Sequence, residues 1–72
     1  MATDICILLG ARIRELRKAR GWRQLDLAEQ AGINENYVSD LELGSKEICL
    51  RTLKALALAF QLSIAELMRD LE

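Results

Sequence analysis

Glycine stands at positions 10, 21, 32 and 44 of this 72-residue chain, and proline is absent. The last three glycines each follow an apolar-periodic segment, where a glycine can take the left-handed conformation that ends a helix. Between them apolar residues recur every three or four positions rather than every two, which is the helical period. Ile5, Leu9, Ile13 and Leu16 form one stripe that stops before Gly21. Leu25, Ala28 and Ala31 form the next, widened by Leu27; Val38 and Leu41 mark a third, closed by Gly44. Leu50, Leu53, Leu56, Ala57 and Phe60 make the cleanest stripe, and Ile64, Leu67, Met68 and Leu71 finish the chain. Asn34 is a good N-cap for the third segment, because its side chain can accept from the exposed amides behind it. Ser63-Ile-Ala-Glu66 reads as a capping box, with Leu62 and Leu67 spaced as a hydrophobic staple. The spacing predicts an all-α fold of five helices, approximately 5–20, 24–31, 35–43, 50–60 and 64–70, in a single domain over 1–72. There are no repeats, no linker and no strand signal.

A chain this short buries only about 60% of its unfolded surface, so its core is thin. Yet Leu and Ile together fill twenty positions, a surplus that points to a contact between copies of the chain. Unbroken apolar runs such as Ile5 to Leu9 are far below the roughly 20 residues of a membrane span. No secretory signal is visible, and a cytoplasmic location is expected. Cys6 and Cys49 share no metal-binding spacing and are expected as buried, inert thiols. The chain has no His, which removes Ser-His-Asp, Cys-His and zinc-hydrolase chemistry. With no glycine-rich phosphate loop either, the reading is a non-enzyme without metal or cofactor.

The net charge is −1, but six of the ten basic residues lie between Arg12 and Arg23, interrupted only by Glu15. Such a stripe serves either as a solvated helix face or as an electrostatic footprint for nucleic acid. The second and third segments are joined by Ala31-Gly-Ile-Asn34, a short glycine-containing turn of the kind a helix-turn-helix requires. At 100° per residue Tyr37, Val38 and Leu41 point to the core, while Glu35, Asn36, Ser39, Asp40 and Leu43 point outward. The outward set can meet base edges in a major groove, with Leu43 against a thymine methyl. It serves equally as the wet face of an ordinary small bundle.

Further motifs narrow the choice. Gly10-Ala-Arg-Ile-Arg-Glu-Leu-Arg-Lys-Ala-Arg-Gly-Trp-Arg-Gln24, Leu27-Ala-Glu-Gln-Ala-Gly-Ile33 and Tyr37-Val-Ser-Asp-Leu-Glu-Leu-Gly44 are similar in order and spacing to the Cro/lambda-repressor-type (Xre-like) helix-turn-helix family. The likeness continues through Leu50-Arg-Thr-Leu53 and Leu62-Ser-Ile-Ala-Glu-Leu67 and covers about residues 9–68. It implies a lambda-repressor-like five-helix DNA-binding domain, usually a symmetric dimer, whose third helix enters the major groove. Gln24 then matches a phosphate contact at the start of the second helix. Glu35, Asn36, Tyr37 and Asp40 match DNA-facing positions, Asn36 being suited to adenine and the Tyr37 hydroxyl to a phosphate. Ser45 and Lys46 match a backbone-gripping loop, and Arg23, Asn34, Ser39 and Leu43 complete the expected DNA-facing set. Arg17 and Glu42 match an ion pair joining the first helix to the third, a structural role that the helical wheel supports independently.

Four places depart from the family pattern. Arg23 replaces a Ser or Thr cap, removing the cap and adding a cation. Glu35 and Asp40 replace basic or polar residues; carboxylates repel phosphates but can accept from cytosine N4. Glu47-Ile48-Cys49 replaces a segment that is often basic and contains proline. Gln61 replaces a glycine, at a penalty of about 1 kcal/mol if its φ is positive.

The expected function is a homodimeric transcriptional regulator on a palindromic operator, with Leu58, Ile64 and Met68 as the candidate dimer patch or, alternatively, plain core. The expected partners are double-stranded DNA and a second copy, with no membrane and no small-molecule ligand. In size and layout the chain resembles restriction–modification controller proteins, favoured here over phage repressors and antitoxins. The layout also suits the DNA-binding piece of a longer protein, with Leu71-Glu72 a candidate cloning scar. A competing reading keeps the fold but makes it a protein-interaction module that has lost DNA binding, based on the acidic outward face and a pI near 5.4.

Overall fold

The computed structural model describes residues 4–71, so residues 1–3 and Glu72 of the expected domain lie outside the described residues. Five helices follow one another: α1 (Ile5–Ala19), α2 (Gln24–Ala31), α3 (Glu35–Leu43), α4 (Leu50–Ala59) and α5 (Ile64–Leu67). Asp4 starts α1 by accepting from the Cys6 amide at 2.7 Å. Asn34 caps α3 in the same way, accepting from the Asn36 amide at 2.7 Å. The Ser63 box forms in both directions, from the Glu66 amide to Ser63 Oγ at 3.0 Å and from the Ser63 amide to Glu66 Oε1 at 2.9 Å. Gly21, Gly32 and Gly44 all have φ near +70°, so each ends its segment in the left-handed conformation.

The core comes from all five helices, centred on Ile13, Leu27, Val38, Leu56, Phe60 and Leu67. Leu71 is buried with them. Trp22 stacks on Phe60 with centroids 5.9 Å apart, and the Arg20 guanidinium lies 4.8 Å from the Phe60 centroid. Gly10 has a different task from the other glycines. An added Cβ would clash with the Leu41 carbonyl oxygen, so its bare backbone lets α1 cross close over α3.

Several expectations are corrected by packing. Leu25 is exposed while Leu27 is fully buried, because a helix of two turns with four apolar positions admits two stripes and its neighbours select one. Leu50, read as part of the α4 stripe, is 73% exposed at the first turn, and Ile5 at the start of α1 is also largely exposed. Cys6 is half-buried and Cys49 exposed, against the expectation of two buried thiols. Cys49 is at the N-cap of α4, a wet position, with its sulfur 3.2 Å from Thr52 Oγ1. The last helix stops at Leu67 rather than at 70. Beyond it, Arg12 of α1 donates to the carbonyls of Leu67 (3.0 Å) and Arg69 (2.9 Å), and Asp70 turns to φ +62°. The carbonyls that further helix would occupy are thus satisfied from outside. Gln61 does adopt the strained φ, at +59°.

No helix among the described residues is long and apolar enough to cross a membrane. Nor is any group of three or more His, Cys, Asp or Glu among them placed to hold a metal ion.

Candidate nucleic-acid interface

The site is built from the inside of α3 outward. Arg17 Nε donates to Glu42 Oε2 at 2.6 Å and Arg17 Nη2 to Glu42 Oε1 at 3.0 Å, a two-pronged contact. Their side chains are only 11% and 4% exposed. The remaining prong, Nη1, donates to the Trp22 carbonyl at 2.8 Å, tying the pair to the turn before α2. The Glu42 carboxylate beside it holds the Arg17 guanidinium still more firmly in its charged form. Gln24 joins the cluster from the start of α2, its Nε2 donating to Glu42 Oε1 at 3.1 Å. Three helices therefore meet on one carboxylate, and the angle of α3 is fixed from both sides.

The outward face of α3 is left open. Glu35 and Asn36 are exposed, Leu43 is 72% exposed, and Ser39 is half-buried at the rim. Tyr37 packs its ring against the core edge, and its hydroxyl turns to the Glu47 carbonyl at 3.4 Å rather than straight outward. Asp40 is engaged: Lys46 Nζ lies 3.5 Å from its Oδ2, and Ser45 donates to its backbone carbonyl from both Oγ and the amide, each at 3.1 Å. The carboxylate and the cation read separately in the sequence thus form one pair that closes the loop after α3.

At the start of α2 the expected loss of a side-chain cap holds, since the Arg23 side chain accepts no hydrogen bond from the first turn. The Arg23 amide does donate to Asp26 Oδ2 at 2.7 Å, the return half of a capping box, so the third helical residue satisfies that amide. The Arg23 guanidinium also binds Asp26, at 3.2 and 3.0 Å. Those hydrogen bonds push the Asp26 carboxyl below the ordinary carboxylate range. The added cation therefore carries its own counter-ion.

The basic stripe resolves into two groups. Arg12, Arg17, Arg20 and Arg23 are all committed to internal acceptors, Arg20 to the carbonyls of Phe60 at 2.7 Å and Leu16 at 3.1 Å. Arg14, absent from the expected set, instead lines a shallow cleft of about 200 Å³ together with Arg17, Gln24, Ser39, Glu42 and Leu43. Its place three residues before Arg17, on the flank of the same helical face, is the sequence signal that points to it.

The three residues expected as a dimer patch come from α4 and the last helix with its C-cap, and none of them lines the cleft beside α3. Leu58 is 65% exposed on α4, whereas Ile64 and Met68 are half-buried against the core. Met68 also lines an apolar groove of about 300 Å³ with Ile5, Cys6, Leu9, Ile48 and Leu53.

Comparison with known proteins places this arrangement. A helix-turn-helix family model matches residues 13–67. The HTH-type transcriptional regulator DdrOP3 of Deinococcus deserti is 41% identical over 61 residues, 85% of this chain and 47% of that protein. The chain spans about half the length of the curated relatives it matches. The restriction-modification controller protein C.AhdI from Aeromonas hydrophila superposes with a TM-score of 0.83 at 35% identity, over 86% of this chain and 94% of its own. The clp gene regulator ClgR from Corynebacterium glutamicum superposes with a TM-score of 0.91 at 28% identity, over 99% and 76%. With a family match across most of its length, relatives named as regulators, and α2 and α3 joined by the turn its sequence spells, this chain belongs to the Xre-like helix-turn-helix family.

Proposed function

We propose that the chain is a sequence-specific DNA-binding transcriptional regulator that acts as a homodimer on a palindromic operator, with α3 in the major groove. One observation carries the reading. The inner edge of α3 is locked by Arg17, Gln24 and Glu42, while the side chains of Glu35, Asn36, Ser39 and Leu43 have no hydrogen-bonded partner among the described residues. A rigidly held helix with an uncommitted polar face is what base readout needs. Asn36 is the adenine reader in this scheme, and Leu43 faces a thymine methyl. Arg23, Gln24, Asn34, Tyr37, Ser45 and Lys46 border that face and position the backbone.

A domain of this size covers only a few base pairs. Two copies with their reading helices about 34–36 Å apart would span successive major grooves. Leu58, Ile64 and Met68 are the proposed self-contact. The small controller proteins remain the favoured functional class, supported by the likeness to C.AhdI over nearly the whole of that chain.

The test is fluorescence anisotropy with DNA from upstream of the protein's own gene, beside a scrambled duplex, across a series of salt concentrations. A preference of at least about 1,000-fold for the upstream DNA supports the regulator. Asn36→Ala and Asp40→Ala should then erode that preference more than they erode binding to the scramble. Equal binding to both duplexes, followed by an empty selection from genomic fragments, would transfer the assignment to a protein-interaction module of the same fold. The acidic Glu35 on the reading face is the observation that keeps that second reading in view.

A further inference from the structure

Four of the six cations in the Arg12–Arg23 stripe are bound internally, which leaves Arg14 and Lys18 to explain. Both are exposed, and neither makes an ion pair or a side-chain hydrogen bond among the described residues. Glu15, three residues before Lys18, is not within ion-pair distance of it. The two cations stand four residues apart on one face of α1, a like-charge spacing that slightly destabilises a helix. Lys18 lies in the last turn of α1, where a cation complements the helix dipole, but neither side chain has a partner among the described residues.

Their position offers an external use. Arg14 opens into the cleft shared with Gln24, Ser39 and Leu43. At 100° per residue, Ser39 and Glu42 lie on one flank of the outer face of α3 and Asp40, with its Lys46, on the other. A helix about 10–12 Å across nearly fills a major groove about 12 Å wide, so a sugar-phosphate strand runs close along each flank. On the Asp40 flank the loop supplies Lys46 and Ser45. On the opposite flank the neighbouring side chains are Gln24, whose amide is tied to Glu42, and Arg14.

We infer that Arg14, continued by Lys18 one turn on, forms a second phosphate-gripping site, on the α1 side of the reading helix and separate from the Ser45–Lys46 loop. The inference rests on the DNA-binding reading but not on base specificity, because phosphate contacts are blind to sequence. The ligand is the nucleic-acid backbone, met as a row of anions by two cations held on a helix rather than on a loop.

The experiment measures binding to a random-sequence duplex and to the upstream DNA between about 50 and 200 mM salt, for the wild type, Arg14→Gln, Lys18→Gln and the double variant. Lys54→Gln on α4 makes the same charge change away from this cleft. Arg14→Gln should reduce the slope of log affinity against log salt by about 1 and weaken binding about five-fold near 0.15 M salt, equally on both duplexes. The double variant should reduce the slope by about 2. Lys54→Gln should leave the slope in place, and thermal melts of all variants should match the wild type. An unchanged slope in Arg14→Gln overturns the inference while leaving the regulator intact. So does a loss confined to the upstream DNA, which would make Arg14 a base reader. A reduced slope with no preference between the duplexes would uphold the inference and sink the sequence-specific reading. A wild type that binds neither duplex would sink both.

Discussion

Where α1 crosses α3, Gly10 brings the two backbones together, Ile7 packs on Gly44, and the Arg17–Glu42 pair is shut away with every prong used. Along the outer face of α4, Leu50 and Leu58 stand more than half exposed with Lys54 between them. The first region places a charge pair in the interior; the second leaves large apolar side chains in water. Each inverts the usual preference, and the costs fall in different places. A buried ion pair gains little stability over a well-packed apolar contact, but it tolerates only one geometry, so the seam fixes the angle of α3. Exposed leucines do nothing for the isolated fold and become favourable once another surface covers them.

The comparison breaks most visibly at the seam. Glu42→Ala should lower stability by about 3–5 kcal/mol, because Arg17 is then left charged and enclosed without its partner. A chemical-denaturation series reads this directly. Adding Arg17→Ala to that variant should recover part of the loss, since no stranded charge remains. If the double variant instead shows the full sum of the two single losses, the pair is not the lock described above. Gly10→Ala comes next. Alanine is the better helix former by about 0.5–1 kcal/mol. The added methyl, however, runs into the carbonyl oxygens of Leu41 and Glu42, and backbone cannot step aside as a flexible side chain would. Overpacking wins, and we expect a net loss of about 2 kcal/mol with α3 displaced from α1.

These two variants also show what could be read in the sequence and what could not. The ends of α2 and α3 were legible because a glycine closes each, and the start of α3 because Asn34 caps it, all marks of local chemistry. The Arg17–Glu42 pair was legible from the family resemblance, with the helical wheel in support because both residues flank apolar stripes. Gly10 was not, since a close helix crossing leaves no mark on either helix alone. The partners of Arg12 and Arg20 were hidden for a related reason. They donate to backbone carbonyls forty or more residues away or one turn back along the helix, and a carbonyl has no sequence signature. The early end of α5 follows from the same omission. Asp26 shows a subtler gap: the cap was sought only at Arg23, while the bond that closes the helix start comes from the third helical residue. In the interface, the outward turn of Asn36 and Leu43 followed from the wheel, but the pairing of Asp40 with Lys46 depended on how the loop folds back.

On α4 the expected effect on the fold is near zero. Leu58→Asp should leave the melting transition of the monomer within about 0.5 kcal/mol of the wild type, because the side chain is 65% exposed. Sedimentation at low concentration should nevertheless shift toward the monomer. Unchanged sedimentation would remove Leu58 from the proposed self-contact and leave α4 as a wet face. A fall in stability instead would mean that the leucine supports the core, and the contrast with the seam would lose its second half.

The smallest effect compares the two regions through their helix starts. Asp26 closes the start of α2 on the interface side, and Glu66 closes the start of α5. Both carboxyls are held below their ordinary values of 3.8 and 4.5, Asp26 by hydrogen bonds from the Arg23 side chain and amide, Glu66 chiefly by the Ser63 amide. A carboxyl depressed by folding contributes stability that is fully present above its unfolded value and is lost as pH falls through the lower folded value. Both contributions should therefore persist at neutral pH and disappear in acid, below about pH 4.5 for Glu66 and below about pH 3.8 for Asp26. Asp26→Asn and Glu66→Gln should each flatten the decline of stability with acid in its own window. The two will separate in DNA binding: Asp26→Asn releases the Arg23 guanidinium beside the reading helix and should strengthen binding to any duplex, while Glu66→Gln should not. Equal binding by the two variants would show that Arg23 is too far from the backbone to use its charge, and would leave α2 contributing Gln24 alone.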